Sequence, residues 1–296
     1  MSKFEILNLA QTENTQIRFR INKFPDGQQS LTLEETSDFL IEKNVTIKSR
    51  LNNFRDLELI VCANQALRNM KVHSVSLYVP YFLGARSDRR FTEGDVHYLK
   101  QVICPIINLQ NFDSVIVMDP HSDVLEACLD NYQKLDNHLL VKQALKEIDN
   151  RDLAQDRIVL VSPDAGAYKK IFDVAQKFSI EKIITANKVR DIKTGKILRT
   201  EIPSLYQEEG LKYVIIDDIC DGGRTFIELA KAIHEKQPNA EVYLIVTHGI
   251  FSNGFLELSR ELVKIFSSNS YSDQIDIEYA SQYTVNKQFL TQFNVF

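Results

Sequence analysis

Short apolar runs punctuate the chain, and each stops at a polar or glycine-bearing loop. They are SVSLYV before Pro80, SVIVM before Asp119, RIVLV before Ser162, KIIT before Ala186, YVII before Asp217 and EVYLIV before Thr247. Their shortness and their content of Val and Ile predict buried strands. Helical patterns lie between several of them. Over Asp56 to Met70, the residues Leu57, Ile60, Val61, Leu67 and Met70 share one face, and Leu139 to Ile148 and Phe226 to Ile233 read similarly. Strands alternating with helices predict an α/β protein with doubly wound, mainly parallel sheets, which place ligands at the carboxyl ends of their strands.

One strand end carries unusual chemistry. In YVIIDDICDGGRTF, Tyr213 to Phe226, the apolar run stops at two adjacent carboxylates, Asp217 and Asp218. Asp221, Gly222, Gly223, Arg224 and Thr225 follow, and a helical pattern begins at Phe226. This reads as a buried parallel strand feeding a phosphate-cradling loop at a helix N-terminus. The paired acids suit the vicinal hydroxyls of a ribose. The glycines let backbone N–H groups approach a phosphate, and Thr225 adds a hydroxyl donor. The plain alternative is a strand-to-helix turn with a capping acid, but an acidic pair at a buried strand end needs a partner.

Composition narrows the setting. A length of 296 residues predicts two domains, and 44% hydrophobic with 25% charged residues is ordinary for a globular chain. The net charge of -5 argues against a general nucleic-acid binder, so an anionic substrate calls for a local cluster of Lys and Arg. Cys62, Cys104, Cys128 and Cys220 share no metal-ligand spacing, and Cys62 and Cys104 read as buried thiols. Lys3, Glu5 and Asn8 interrupt the N-terminal apolar residues, which predicts no signal peptide, and no run is long enough to span a bilayer. The expected setting is reducing and cytoplasmic, with no membrane partner.

The Tyr213–Phe226 stretch resembles the phosphoribosyl-diphosphate (PRPP) loop shared by type I phosphoribosyltransferases and PRPP synthetases, the ribose-phosphate diphosphokinases. Other segments favour the synthetases: PYFLGARSDRRF (Pro80 to Phe91), MDPHSD (Met118 to Asp123), VSPDAG (Val161 to Gly166), NKVR (Asn187 to Arg190) and THGIFS (Thr247 to Ser252) follow in the family's order. The resemblance spans roughly Phe24 to Ser252. It implies two tandem phosphoribosyltransferase-like domains, residues 1–149 and 150–296, with the catalytic and ribose-phosphate loops in the second. The implied reaction moves the β,γ-diphosphate of ATP to the anomeric hydroxyl of a ribose phosphate, with magnesium.

The resemblance also assigns roles. Phe24, Asp26, Gly27 and Gln28 match an adenine-holding turn, although an ordinary Pro-Asp-Gly turn reads the same. Arg86, Ser87 and Asp88 match the family's ATP-binding Arg-Gln-Asp-Arg, with Ser87 a departure, and a solvated charge run is the alternative. His121 and Asp164 match magnesium-site positions, with Asp119 behind them; without the resemblance His121 reads as a loop histidine. Lys188 and Arg190 match the catalytic flexible loop, against an exposed basic hairpin. Asp217, Asp218, Asp221, Gly222, Gly223, Arg224 and Thr225 match the ribose-phosphate loop.

That loop departs from the family's Asp-Thr-Gly-Gly-Thr, since Gly222 removes a side chain and Arg224 adds a cation. Both changes suit a larger or more charged 5'-substituent, so ADP-ribose stands beside ribose 5-phosphate as acceptor, although Arg224 also reads as an outward-pointing surface residue. The resemblance implies a homo-oligomer, dimer or hexamer. The divergent tail YASQYTVNKQFLTQFNVF leaves hexamer formation and allostery poorly supported. A rival of another class is a catalytically silent regulatory subunit, whose loop cations or metal residues should be altered; here they are present.

Overall fold

Two sheets, each parallel throughout, are built from the apolar runs. The computed structural model describes residues 4–11, 15–149, 155–190, 197–273 and 280–283. Contacts divide the chain into two units, the first ending at Asp136 and the second beginning at Asn137.

In the first unit, β1 (Phe4–Asn8), β4 (Asn44–Lys48), β5 (Ser74–Val79), β6 (Ser114–Met118) and β7 (Tyr132–Leu135) form a five-stranded sheet in that order. Val75, Leu77, Val79, Val115 and Val117 alternate onto one face and join the core with Leu57, Ile60 and Leu67 of α2 (Phe54–Asn69). Tyr78, Ile116 and Met118 point the other way and are also fully buried. Val61 and Met70 are only half-buried; Ala63 and Asn64 take the buried places on α2. The helix starts on a capping box, with the Asn53 side chain accepting from Arg55 and Asp56 N–H while Asp56 accepts from Asn53 N–H. A separate antiparallel hairpin, β2 (Phe19–Lys23) with β3 (Gln29–Leu33), packs on α2, where Gln29 N–H donates to Glu58 Oε1 at 3.1 Å. Short helices α1 (Ser37–Leu40), α3 (Cys104–Asn108) and α4 (Val124–Cys128) complete the connections. Cys104 is buried as expected, but Cys62, on the flank of α2, is only half-buried.

The second unit opens with α5 (His138–Ile148), which packs against β13 (Glu241–Gly249), β14 (Lys264–Ser268) and α6 (Tyr168–Phe178). This allegiance draws the division between units before the helix, whereas the sequence places it near Asp149. The six-stranded sheet runs β15 (Ala280–Tyr283), β14, β13, β12 (Lys212–Cys220), β8 (Ile158–Ser162), β9 (Lys182–Thr185). Val159, Val161, Tyr213, Ile215, Leu244 and Val246 bury one face against Phe226, Leu229, Ala230 and Ile233 of α7 (Arg224–Lys236). Helices α5 and α6 contact the sheet through β8, β9, β13 and β14 and lie outside that cluster. The chain leaves β8 toward β9, then returns across β8 to build β12 and everything beyond it. That reversal is the switch point of a doubly wound sheet, and it lies between β8 and β12. An antiparallel ribbon, β10 (Asn187–Arg190) with β11 (Ile197–Glu201), leaves the sheet after β9. Among the described residues, no helix is long and apolar enough to cross a membrane.

Candidate active site

The crevice at the switch point is lined by the ends of β8 and β12. The ladder between these strands covers Lys212–Ile215 of β12, whereas the ladder with β13 continues to Cys220. Asp217 and Asp218 therefore lie inside a strand, not beyond its end as the sequence predicts, because β13 is equally long and pairs with them. Asp218 is buried and Asp217 half-buried, and Asp218 N–H donates to Asp217 Oδ1 at 2.9 Å. Burial raises the Asp217 pKa well above the usual carboxylate range, and the neighbouring Asp218 charge adds to it. Lys170 on α6 pulls the other way. That lysine belongs to the acid pair's surroundings, and no motif in the sequence points to it.

The loop after β12 is tied down on both sides. Ile250 and Phe251 N–H both donate to Cys220 O, at 2.8 and 3.2 Å. Gly223 has φ +79° and stands as the N-cap of α7, a conformation that favours glycine. A Cβ there would also meet Leu258 Cδ2 at 2.9 Å. Arg224 and Thr225 form the first turn of α7, where N–H groups have no intrahelical acceptor and the helix dipole is positive. The Arg224 side chain is 86% exposed and donates from Nε to Glu228 Oε1 at 2.7 Å, one helical turn on. It lies on the surface of the helix. Gly222 does not open space for a larger ligand, because a Cβ there would stand 2.8 Å from Asn253 Nδ2.

At the end of β8, Ser162 is fully buried and its Oγ donates to Asp164 O at 2.8 Å. Asp164 Oδ1 accepts from Gly166 and Ala167 N–H at 3.0 and 3.1 Å, so this carboxylate holds the turn into α6. Lys188 and Arg190 sit in β10, where Lys188 pairs with Thr200 and Arg190 with Ile197. Their side chains, and the DIKTGK segment at 191–196, lie outside the described residues.

The first unit brings the RSDR and DPHSD segments together. Asp88 is 3% exposed and takes a two-point contact from Arg89, Nε to Oδ1 at 2.8 Å and Nη2 to Oδ2 at 2.9 Å. This lowers the Asp88 pKa to about 2 against the opposing effect of burial, with a smaller contribution from the His121 charge. Asp88 thus orients its neighbours from within, while His121 is exposed. Asp119 closes β6 with φ +41°, buried, its N–H donating to Leu135 O at 2.8 Å. A left-handed aspartate ahead of a proline is a strained way to turn a chain, of the kind concentrated at functional loops. Phe24–Gln28 form the tip of the β2–β3 hairpin. Phe24 N–H donates to Gln28 O, Gln28 N–H to Asp26 Oδ1, and Gly27 has φ +97°. Phe24 is 49% exposed.

Among the described residues, no three His, Cys, Asp or Glu side chains cluster as a ready-made metal cage. Magnesium needs none: it keeps its waters and binds through one or two protein groups plus substrate phosphates.

Residues 130–275 match the phosphoribosyl transferase domain model. The ribose-phosphate pyrophosphokinase of Thermosipho africanus is 27% identical over 259 residues, covering 85% of this chain and 78% of that protein. The protein of the same name from Maricaulis maris is 28% identical over 236 residues, 78% of this chain and 72% of its own length. By these matches the chain is a relative of the ribose-phosphate pyrophosphokinases. The phosphoribosylpyrophosphate synthetase of Mycobacterium smegmatis shares its fold, with a TM-score of 0.80 over 98% of this chain and 97% of that one at 14% identity. The protein is an enzyme of this pyrophosphoryl-transferring type. In this chain the loop after β12 has an arginine laid along the helix surface and a glycine roofed by Asn253.

Proposed function

We propose that the protein transfers the β,γ-diphosphate of ATP to the 1-hydroxyl of ribose 5-phosphate, giving PRPP and AMP. The observation that carries this reading is the switch point, where the acid pair and the anion-binding first turn of α7 share one strand, β12, and its following loop. Asp217 and Asp218 hold the ribose hydroxyls, and the amides of Asp221 to Thr225 hold the 5'-phosphate. The 1-hydroxyl oxygen attacks the β-phosphorus, the bond from that phosphorus to the oxygen of AMP breaks, and the hydroxyl proton is released. In the first unit, Arg86, Ser87 and Asp88 serve the nucleotide, as do Phe24, Asp26, Gly27 and Gln28 at the hairpin tip. Lys188 and Arg190 supply cations against charge developing on the phosphates. Magnesium, when bound, would neutralise phosphate charge, with His121 in the first unit and Asp164 in the second as the groups that would serve it and Asp119 shaping the turn behind His121.

ADP-ribose is the second acceptor to test. Arg224 supports it: a cation at the head of α7 is held by a single exposed ion pair, worth only about 0.3–0.5 kcal/mol. The experiment follows AMP release from ATP and magnesium with each acceptor supplied separately. AMP formed with ribose 5-phosphate is the expected result, and it should vanish with a chelator. His121→Ala should raise the magnesium concentration needed for half-maximal rate. Release with ADP-ribose alone would move the assignment to that acceptor, and release with neither would overturn the reading.

A further inference from the structure

The anion loop of β12 and α7 is completed by a side chain from elsewhere in the sequence. Asn253 lies in the turn after β13 and donates from Nδ2 to Gly222 O at 3.3 Å. The same nitrogen stands 2.8 Å, and its carbon 3.6 Å, from the place a Cβ on Gly222 would occupy, and Ser252 Oγ is 3.8 Å from it. The volume of a residue-222 side chain is therefore already taken, by a carboxamide.

The turn that presents it is firmly set. Phe251 has φ +48°, and its ring lies so close to Gly249 that any side chain there would strike it. Phe251 also packs on Phe255 with the rings tilted by 41° and their centroids 4.5 Å apart, and Gly254 N–H closes the turn on Phe251 O at 2.8 Å. Two residues of this segment grip consecutive glycines, Asn253 on Gly222 and Leu258 on Gly223.

We propose that Asn253 is a specificity-determining residue of the phosphate loop, standing in for the side chain that residue 222 lacks. An amide nitrogen carries two N–H donors. One is spent on Gly222 O, which fixes the peptide orientation of the loop. The other is available at the exposed mouth of the loop to the phosphoryl oxygens of a 5'-phosphorylated ribose. The glycine and the asparagine thus form one unit: changing either alone harms the loop, and changing both together replaces one donor by another. The inference rests on the loop being the ribose-phosphate site, as proposed above.

A reciprocal exchange tests it, with Gly222→Thr, Asn253→Gly and the double variant compared with the parent. Binding of ribose 5-phosphate is read by calorimetry without turnover, with the KM for that acceptor alongside. Gly222→Thr should weaken binding roughly three- to tenfold, because the new side chain pushes the exposed Asn253 amide aside and breaks its hydrogen bond to Gly222 O. Asn253→Gly, an exposed and foldable change, should weaken it roughly three- to tenfold through one lost hydrogen bond. The double variant should return to within about threefold of the parent. Parent-like binding by Gly222→Thr or by Asn253→Gly, or a double variant no better than the worse single one, would overturn the pairing. A parent that binds ribose 5-phosphate but releases no AMP sinks the proposed reaction while leaving the exchange result standing. A parent that binds neither ribose 5-phosphate nor ADP-ribose sinks both.

Discussion

Asp217→Asn should make the protein more stable and less able to bind its acceptor. In the parent, burial and Asp218 hold the Asp217 pKa above its ordinary value, so ionising it at neutral pH costs free energy in the folded state only. Each unit of such a shift is about 1.4 kcal/mol. The residue is half-buried and Lys170 offsets part of the repulsion, so water and that cation leave on the order of 1 kcal/mol. For a unit of this size that is a rise in Tm of roughly 2–4 °C. The sign with pH is fixed: a raised acid pKa means that the folded state keeps its proton longer. The parent therefore loses stability as pH climbs from about 4 through the raised value, while the asparagine variant does not. The Tm gap should be near zero at pH 4 and open by pH 7. Meanwhile a charge-assisted hydrogen bond to ribose is lost, worth about 1.5–3 kcal/mol, so the acceptor KM should rise at least about tenfold. Paired melts of parent and variant from pH 4 to pH 8, with acceptor kinetics, measure both effects. A variant no more stable than the parent at pH 7, or a gap that does not depend on pH, would refute the crowding of the two carboxylates.

Lys188→Ala and Arg190→Ala should each lower turnover about a hundredfold or more while leaving the melting curve unchanged, because losing a donor aimed at transition-state charge has a cost of that order; steady-state rates within a few-fold of the parent for both would remove them from catalysis. Asp88 behaves oppositely to Asp217. Its pKa is lowered from 3.8 to about 2, so the stability it contributes is present above about pH 4 and lost as pH falls toward 2. Asp88→Asn should flatten that part of an acid-unfolding curve, and an unchanged curve means the pair with the exposed Arg89 contributes nothing.

The strands that read most clearly from the sequence are those with uninterrupted apolar runs. SVSLYV and SVIVM coincide with β5 and β6 to the residue, because these strands lie inside a sheet and are buried along most of their length, and KIIT coincides with β9 at the sheet margin. Edge and hairpin elements such as β7 (YQKL) and β2 (FRINK) carry polar residues on exposed faces and give no such signal. The helix α6, by contrast, carries a regular helical spacing, since its buried Ile171, Val174, Ala175 and Phe178 fall at i, i+3, i+4 and i+7. At the site, Asp217 and Asp218 break the strand pattern while remaining in the strand, a conflict between local preference and fold of the kind functional sites retain. The motif residues were legible one by one. The relations between them were not: the charge of His121 acting on the RSDR carboxylate, that of Lys170 acting on Asp217, and the hydrogen bond of Asn253 to Gly222, which is 31 positions away. Such relations arise from parallel crossovers, which bring together strand ends that sequence spacing keeps apart.

The reversal between β8 and β12 also decides where this family can afford to drift. The crevice lies inside the sheet, with β9 beyond it on one side and β13, β14 and β15 beyond it on the other. A strand lengthened, shortened or replaced at either margin leaves the two crevice-forming strands with their neighbours intact. Divergence should therefore accumulate outward from β14 and β15 without disturbing the acids of β12. For anyone recombining such enzymes, the practical corollary is to cut after β14: chimeras joined there exchange a margin, while a junction between β8 and β12 would exchange half a binding site.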